Sequence, residues 1–159
     1  MGCAMATNLQ SLGCMSELIV TRTVHINAHR SAVWAAITEP ELISEWFGDT
    51  AQLDLRVGGT GAMGWKEWGD FRLVVEEIDE PNAFAFRWAR EKDADPVKGN
   101  STLVRFTLDD QDGGTRLTVL ETGWEEFEGD VEAGMKENTA GWIEELDELV
   151  AFLDKQDSA

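Results

Sequence analysis

The chain has 159 residues, 43% of them hydrophobic and 28% charged, which is the size and composition of one globular domain with a proper core and not of a fibrous or disordered protein. Thirteen Lys and Arg stand against 31 Asp and Glu, a net charge of −18, so the surface repels phosphate backbones and anionic lipid and argues against nucleic-acid and membrane roles. No apolar stretch approaches the roughly 20 residues of a spanning helix, and the start lacks the basic residues and apolar run of a secretory signal, so the expected location is cytoplasmic.

Both cysteines, Cys3 and Cys14, precede the first periodic segment and are no disulfide framework for the fold. Residues 1–16 read as a flexible leader, 17–155 as a single domain and 156–159 as a tail. Ser11-Leu12-Gly13-Cys14 has the look of a lipoprotein processing site but lacks the run that should precede it. Ala6 stands where a myristoylation signal has Ser or Thr. Met1 and Met15 are both candidate starts.

Leu18 to Ile26 alternates apolar and polar residues, the period of a half-buried strand. Asn27 offers a helix cap, and Val33, Trp34 and Ile37 mark a short helix that must end before Pro40. A second short helix is expected over Glu41 to Trp46. After Gly48 the pattern turns to strands separated by turn residues: Ala51 to Val57, Thr60 to Trp68, Phe71 to Asp79 and Ala83 to Ala89. Glu91 to Asn100 is the longest loop. Strands over Ser101 to Leu108 and Thr115 to Gly123 flank a turn-rich stretch that reads as a hairpin. The longest helix closes the chain, about Gly129 to Lys155, with Val131, Met135, Trp142, Leu146, Leu149 and Leu153 on one stripe. Glu121 to Asp157 holds thirteen acidic and two basic residues, so the outer face of that helix is expected to be strongly acidic. This order argues for an α+β domain in which an antiparallel sheet wraps the last helix.

Val33-Trp34, Thr38-Glu39-Pro40-Glu41-Leu42 with Trp46, Val57-Gly58-Gly59, Glu77-Ile78-Asp79-Glu80-Pro81, Gly114 to Val119 and Gly141-Trp142 with Leu146 and Leu149 fall in the order of a known family. Over nearly the whole folded part the chain resembles the Hsp90-ATPase-activator-like branch of the START-like (SRPBCC) superfamily. The resemblance implies a helix-grip (START-like, Bet v 1-like) fold, with a curved antiparallel sheet around a long C-terminal helix, two short helices after the first strand, and a hydrophobic cavity between sheet and helix. Relatives include lipid carriers, polyketide aromatase/cyclases, resistance proteins that sequester small molecules, and the domain that stimulates the Hsp90 ATPase, so fold alone does not name the function.

If the last hairpin pairs its apolar residues, Leu108 faces Leu117, Phe106 faces Val119, and Val104 faces Glu121, which turns Glu121 inward. A buried carboxylate must find a donor, water or a proton. It would anchor a ligand's hydroxyl or amine; an ion pair with Arg87 or Arg105, or a rim position, is the blander reading. Asn138 lies about 40° from Trp142 at 100° per residue, on the apolar stripe. It would orient a ligand opposite Glu121 or cap a strand carbonyl. Gly134 and Gly141 flank that stripe, where each costs roughly 1 kcal/mol against Ala.

Seven Trp, seven Phe and no Tyr supply large apolar rings. Trp65, Phe71, Leu73, Phe86 and Trp88 from the sheet would line a cavity with Val104, Phe106 and Val119. Trp124, Met135 and Trp142 would close it, and Trp46 and Phe47 would sit at its mouth; plain core packing accounts for the same rings. Enzyme chemistry finds little support. His25 and His29 read as surface residues with no nucleophile motif or metal set beside them, and Gly58-Gly59 lacks the P-loop lysine. No cofactor is expected. The leading expectation is non-catalytic binding of a small hydrophobic or aromatic molecule. A chaperone-binding module resembling the Hsp90 activator and a polyketide cyclase-like enzyme are the alternatives.

Overall fold

The computed structural model describes residues 18–158. Residues 1–16, expected to be a leader, lie outside these residues, and with them both cysteines and both candidate starts. In chain order the elements are β1 (Val20–Ile26), α1 (Arg30–Thr38), α2 (Pro40–Ile43), β2 (Thr50–Leu53), β3 (Thr60–Trp65), β4 (Gly69–Asp79), β5 (Ala83–Ala89), β6 (Ser101–Gln111), β7 (Gly114–Thr122), a 3-10 turn (Trp124–Glu126) and α3 (Val131–Ser158). The strands form one curved antiparallel sheet in the order β1-β7-β6-β5-β4-β3-β2, and α3 lies in its concave side. This is the helix-grip architecture expected.

The β6–β7 hairpin shows why the register was legible. Asp112 and Gly113 take φ of 49° and 81°, the left-handed pair of a two-residue turn whose twist matches the strands. Both strands therefore run farther into the turn than expected. The pairings Leu108 with Leu117, Phe106 with Val119 and Val104 with Glu121 follow from it. Across the sheet, Val20, Glu121, Val104, Phe86 and Val75 form one inward row, every member buried. A single carboxylate thus interrupts an otherwise apolar row.

Two local expectations need correction. The cap of α1 is His29, not Asn27; its backbone is extended and makes no side-chain cap bond, while Asn27 Oδ1 faces His25 Nε2 at 3.1 Å. The α2 helix starts with Pro40 at its first turn and ends at Ile43, short of Trp46. The chain turns instead, because Trp46 Nε1 donates to Ala36 O at 2.8 Å and is drawn under α1. Trp34 is core, 5% exposed.

On α3, Trp142, Leu146, Leu149 and Leu153 are buried, and Val131 and Met135 half-buried. Arg22 ties the far edge of the sheet to the helix by donating to Asp147 Oδ1 at 2.9 Å and to Ile143 O. No helix among the described residues is long and apolar enough to cross a membrane.

Candidate functional site

Glu121 sits at the bottom of the concave side with 0% exposure. Its Oε1 accepts from Trp142 Nε1 at 2.9 Å, and its Oε2 from Trp88 Nε1 at 3.0 Å and from Thr102 Oγ1. Asn138 Nδ2 donates to both oxygens, at 2.9 and 3.0 Å. Every contact is a neutral donor, so the desolvation of the carboxylate is offset by hydrogen bonds rather than by an ion pair.

The arginines expected as partners face elsewhere. Arg87 pairs with Glu76 at 3.3 Å, and Arg105 grips Glu77 through two bonds of 2.6 and 3.1 Å, which hold the Glu77 carboxyl below its usual range. Alternation explains this, since both arginines take the outer side of strands whose inner side meets Glu121. The nearest guanidinium reached by hydrogen bonds is that of Arg90, one residue beyond β5. Its Nη1 donates to Asn138 Oδ1 at 2.7 Å and its Nη2 to Glu137 Oε1 at 2.9 Å. Asn138 therefore neither caps a strand nor stands opposite Glu121; it joins Arg90 to Glu121. Thr102 and Arg90 were missed in the sequence, although Thr102 lies two residues from Val104 and so on the same face.

Above this network the rings fill the space between sheet and helix. Phe47 is their hub. It lies parallel to Trp142 (5.4 Å, 8°) and to Trp88 (5.9 Å, 24°), and edge-on to Trp65 (5.0 Å, 77°). Phe71 packs on Trp65 at 5.8 Å, Phe86 on Trp88 at 5.5 Å and Phe106 on Trp142 at 5.7 Å. Phe47 and Trp46 are 3% and 4% exposed, so they are interior rather than at a mouth. Gly48 allows this: it takes φ of +70°, and a Cβ there would lie 2.6 Å from Gly64 O and 3.0 Å from the Trp65 ring.

Of the other expected site residues, Leu73, Val104 and Val119 are buried beneath the rings. Trp124 belongs to a neighbouring group: its ring meets Phe127 at 6.0 Å and lies under the Arg90 guanidinium at 5.6 Å. It is fully buried and its indole N–H has no acceptor. Gly134 packs against the Trp124 ring, where a Cβ would come within 2.8 Å; Gly141 faces open space.

Glu145 departs from the acidic outer face expected of this helix: it is half-buried and accepts from Trp65 Nε1 at 3.2 Å. Burial pushes its carboxyl up to about 7. The Trp65 bond opposes that rise, and the charges of Glu144, Glu148 and Asp49 add to it. Surface depressions of about 460 Å³, beside His29 and Leu153, and about 620 Å³, beside Arg72 and Pro96, lie away from these rings. No group of three potential metal ligands occurs among the described residues.

The family described as Activator of Hsp90 ATPase homolog 1-like protein matches residues 27–154. The chain belongs to this family. Its fold is shared with MLL2253 of Mesorhizobium loti (TM-score 0.74, 21% identity, 86% of this chain and 97% of that one). It is shared with the Aha1 dimer of Colwellia psychrerythraea (0.72, 16%, 85% and 95%). DynU16, of the dynemicin biosynthetic locus, is also similar (0.70, 22%), with 86% of this chain against 47% of that one. No curated protein matches the sequence.

Proposed function

We propose that this family member binds a small, flat, hydrophobic or aromatic molecule between the sheet and α3, at the place Phe47 occupies. The observation that carries the reading is the seating of Phe47. A phenyl ring on a short turn between α2 and β2 lies parallel to two indoles, with a third edge-on. A ligand ring entering there would meet the same faces, and apolar burial would supply its affinity. Glu121 holds Trp88 and Trp142 in orientation from behind, so the walls stay formed when the occupant changes. The similarity to DynU16, from a biosynthetic locus, is in keeping with a small-molecule role.

The test is calorimetric titration of naphthalene-sized neutral aromatics into wild-type protein and Phe47→Ala. Truncation leaves an apolar cavity that takes such probes. Binding to Phe47→Ala that is tighter than to wild type supports the reading; no binding by either protein overturns it.

A second reading rests on the family match. As a protein-interaction module the chain would present exposed Glu137, Glu144, Asp147 and Glu148 on α3, and stimulate an Hsp90 ATPase in a salt-dependent way. An ATPase rate unchanged by added protein counts against it.

A further inference from the structure

Three of the four indoles around Phe47 share one feature that apolar binding does not require: Trp88 and Trp142 donate their N–H to Glu121, and Trp65 donates to Glu145. The fourth, Trp46 at 5.1 Å, donates to the carbonyl of Ala36. A hydrogen bond from the pyrrole edge to an anion pushes electron density toward the ring and makes its faces more negative, which strengthens attraction for a cation above them. Resting on the binding site proposed above, we infer that its ligand is an organic cation, an aromatic or alkyl ammonium whose charged end takes the position of the Phe47 ring.

Charge supports this assignment. None of the ion pairs among the described residues includes Glu121 or Glu145. Arg90 reaches Glu121 only through the amide of Asn138, and its other nitrogen is taken by Glu137. The charges that bear on Glu145 are acidic, those of Glu144, Glu148 and Asp49. A core that encloses a carboxylate without a direct cation, beside a half-buried second carboxyl, leaves room in its electrostatics for one positive charge. An anionic ligand would meet the opposite field. The net charge of −18 also concentrates cations near the surface before they enter.

The experiment compares three probes of one shape: 2-naphthylmethyl-trimethylammonium, its uncharged isostere with carbon in place of nitrogen, and 2-naphthoate. Each is titrated near pH 8, above the value of about 7 to which burial raises Glu145, so that its carboxylate is charged, and at about 0.15 M salt, where long-range steering is screened beyond about 8 Å. Wild type, Phe47→Ala and Glu145→Gln are followed by calorimetry. The cation is expected to bind about tenfold tighter than the isostere, within the range of a desolvated cation–π contact. Naphthoate is expected to bind weakest, and Glu145→Gln to shrink the preference for the cation. An isostere that binds as tightly as the cation overturns the assignment and leaves the apolar site standing. So does a preference unchanged by Glu145→Gln, because it would reflect net charge alone. Failure of all three probes with both wild type and Phe47→Ala overturns the binding site itself.

Discussion

The amide nitrogen of Asn138 straddles Glu121, 2.9 Å from one carboxylate oxygen and 3.0 Å from the other, while its carbonyl oxygen accepts from Arg90 at 2.7 Å. One neutral side chain on α3 thus joins the helix to β7 and passes the field of a guanidinium to a carboxylate that water does not reach. Asn138→Ala removes both contacts and should cost about 1–3 kcal/mol in denaturant unfolding, the penalty for leaving buried polar groups unpaired. An unchanged midpoint would remove Asn138 from the network.

Glu121→Gln tests the same network from the sheet. Its new amide places a donor where an acceptor met the donors Trp88, Trp142, Thr102 and Asn138. Combined with Asn138→Ala, the losses should be less than additive, with a coupling of about 0.5–3 kcal/mol in a double-mutant cycle. Simple additivity would mean the two residues act independently.

Phe47→Ala deletes the central ring of the cluster. Removal of a fully packed Phe costs about 3–5 kcal/mol where the surroundings cannot collapse. Four tryptophans, Trp46, Trp65, Trp88 and Trp142, border the gap, so tryptophan emission should shift at the same time. A loss under about 1 kcal/mol with unchanged emission would place the ring elsewhere.

Glu145 carries the expected pH dependence. Its carboxyl is raised to about 7 from an ordinary 4.5, chiefly by burial, so the folded chain keeps a proton there that the unfolded chain releases. The associated stability is whole below 4.5 and is lost as the pH rises through about 7. Glu145→Gln keeps an oxygen for Trp65 and removes the titration. Its melting temperature should match wild type near pH 5 and exceed it near pH 8, where Glu144, Glu148 and Asp49 repel the ionised wild-type carboxylate. Equal differences at both pH values would contradict the assignment.

The two glycines of α3 should respond in opposite directions. At Gly141 an added methyl meets nothing within 4 Å, so Gly141→Ala should stabilise by up to about 1 kcal/mol through helix propensity. At Gly134 the methyl would come within 2.8 Å of the buried Trp124 ring, so Gly134→Ala should destabilise. Thermal unfolding of the two variants checks the pair.

What the sequence discloses and what it hides follow from range. Glu121 could be placed inward because a two-residue hairpin turn fixes register, and period two then fixes the face. Trp142, Leu146, Leu149 and Leu153 could be aligned because one helical period spans them. Phe47 was expected at a mouth and lies inside, since a residue in the six-residue connection 44–49, outside any element, has no period to reveal its direction. The partnership of Glu145 with Trp65 was hidden for another reason: 80 positions separate them, and only the curvature of the sheet brings β3 against α3. Asn27 misled because cap preference is a local statistic, whereas its oxygen is committed to His25.

The most direct test of the account is a two-dimensional NMR spectrum of the indole N–H groups, titrated with a flat aromatic probe of naphthalene size. If the probe takes the place of Phe47, the signals of Trp65, Trp88 and Trp142 move together and saturate at one stoichiometry, while Trp34, packed on Phe84, stays put. If these three signals remain fixed in both wild type and Phe47→Ala, the rings are closed core and the proposed site does not exist.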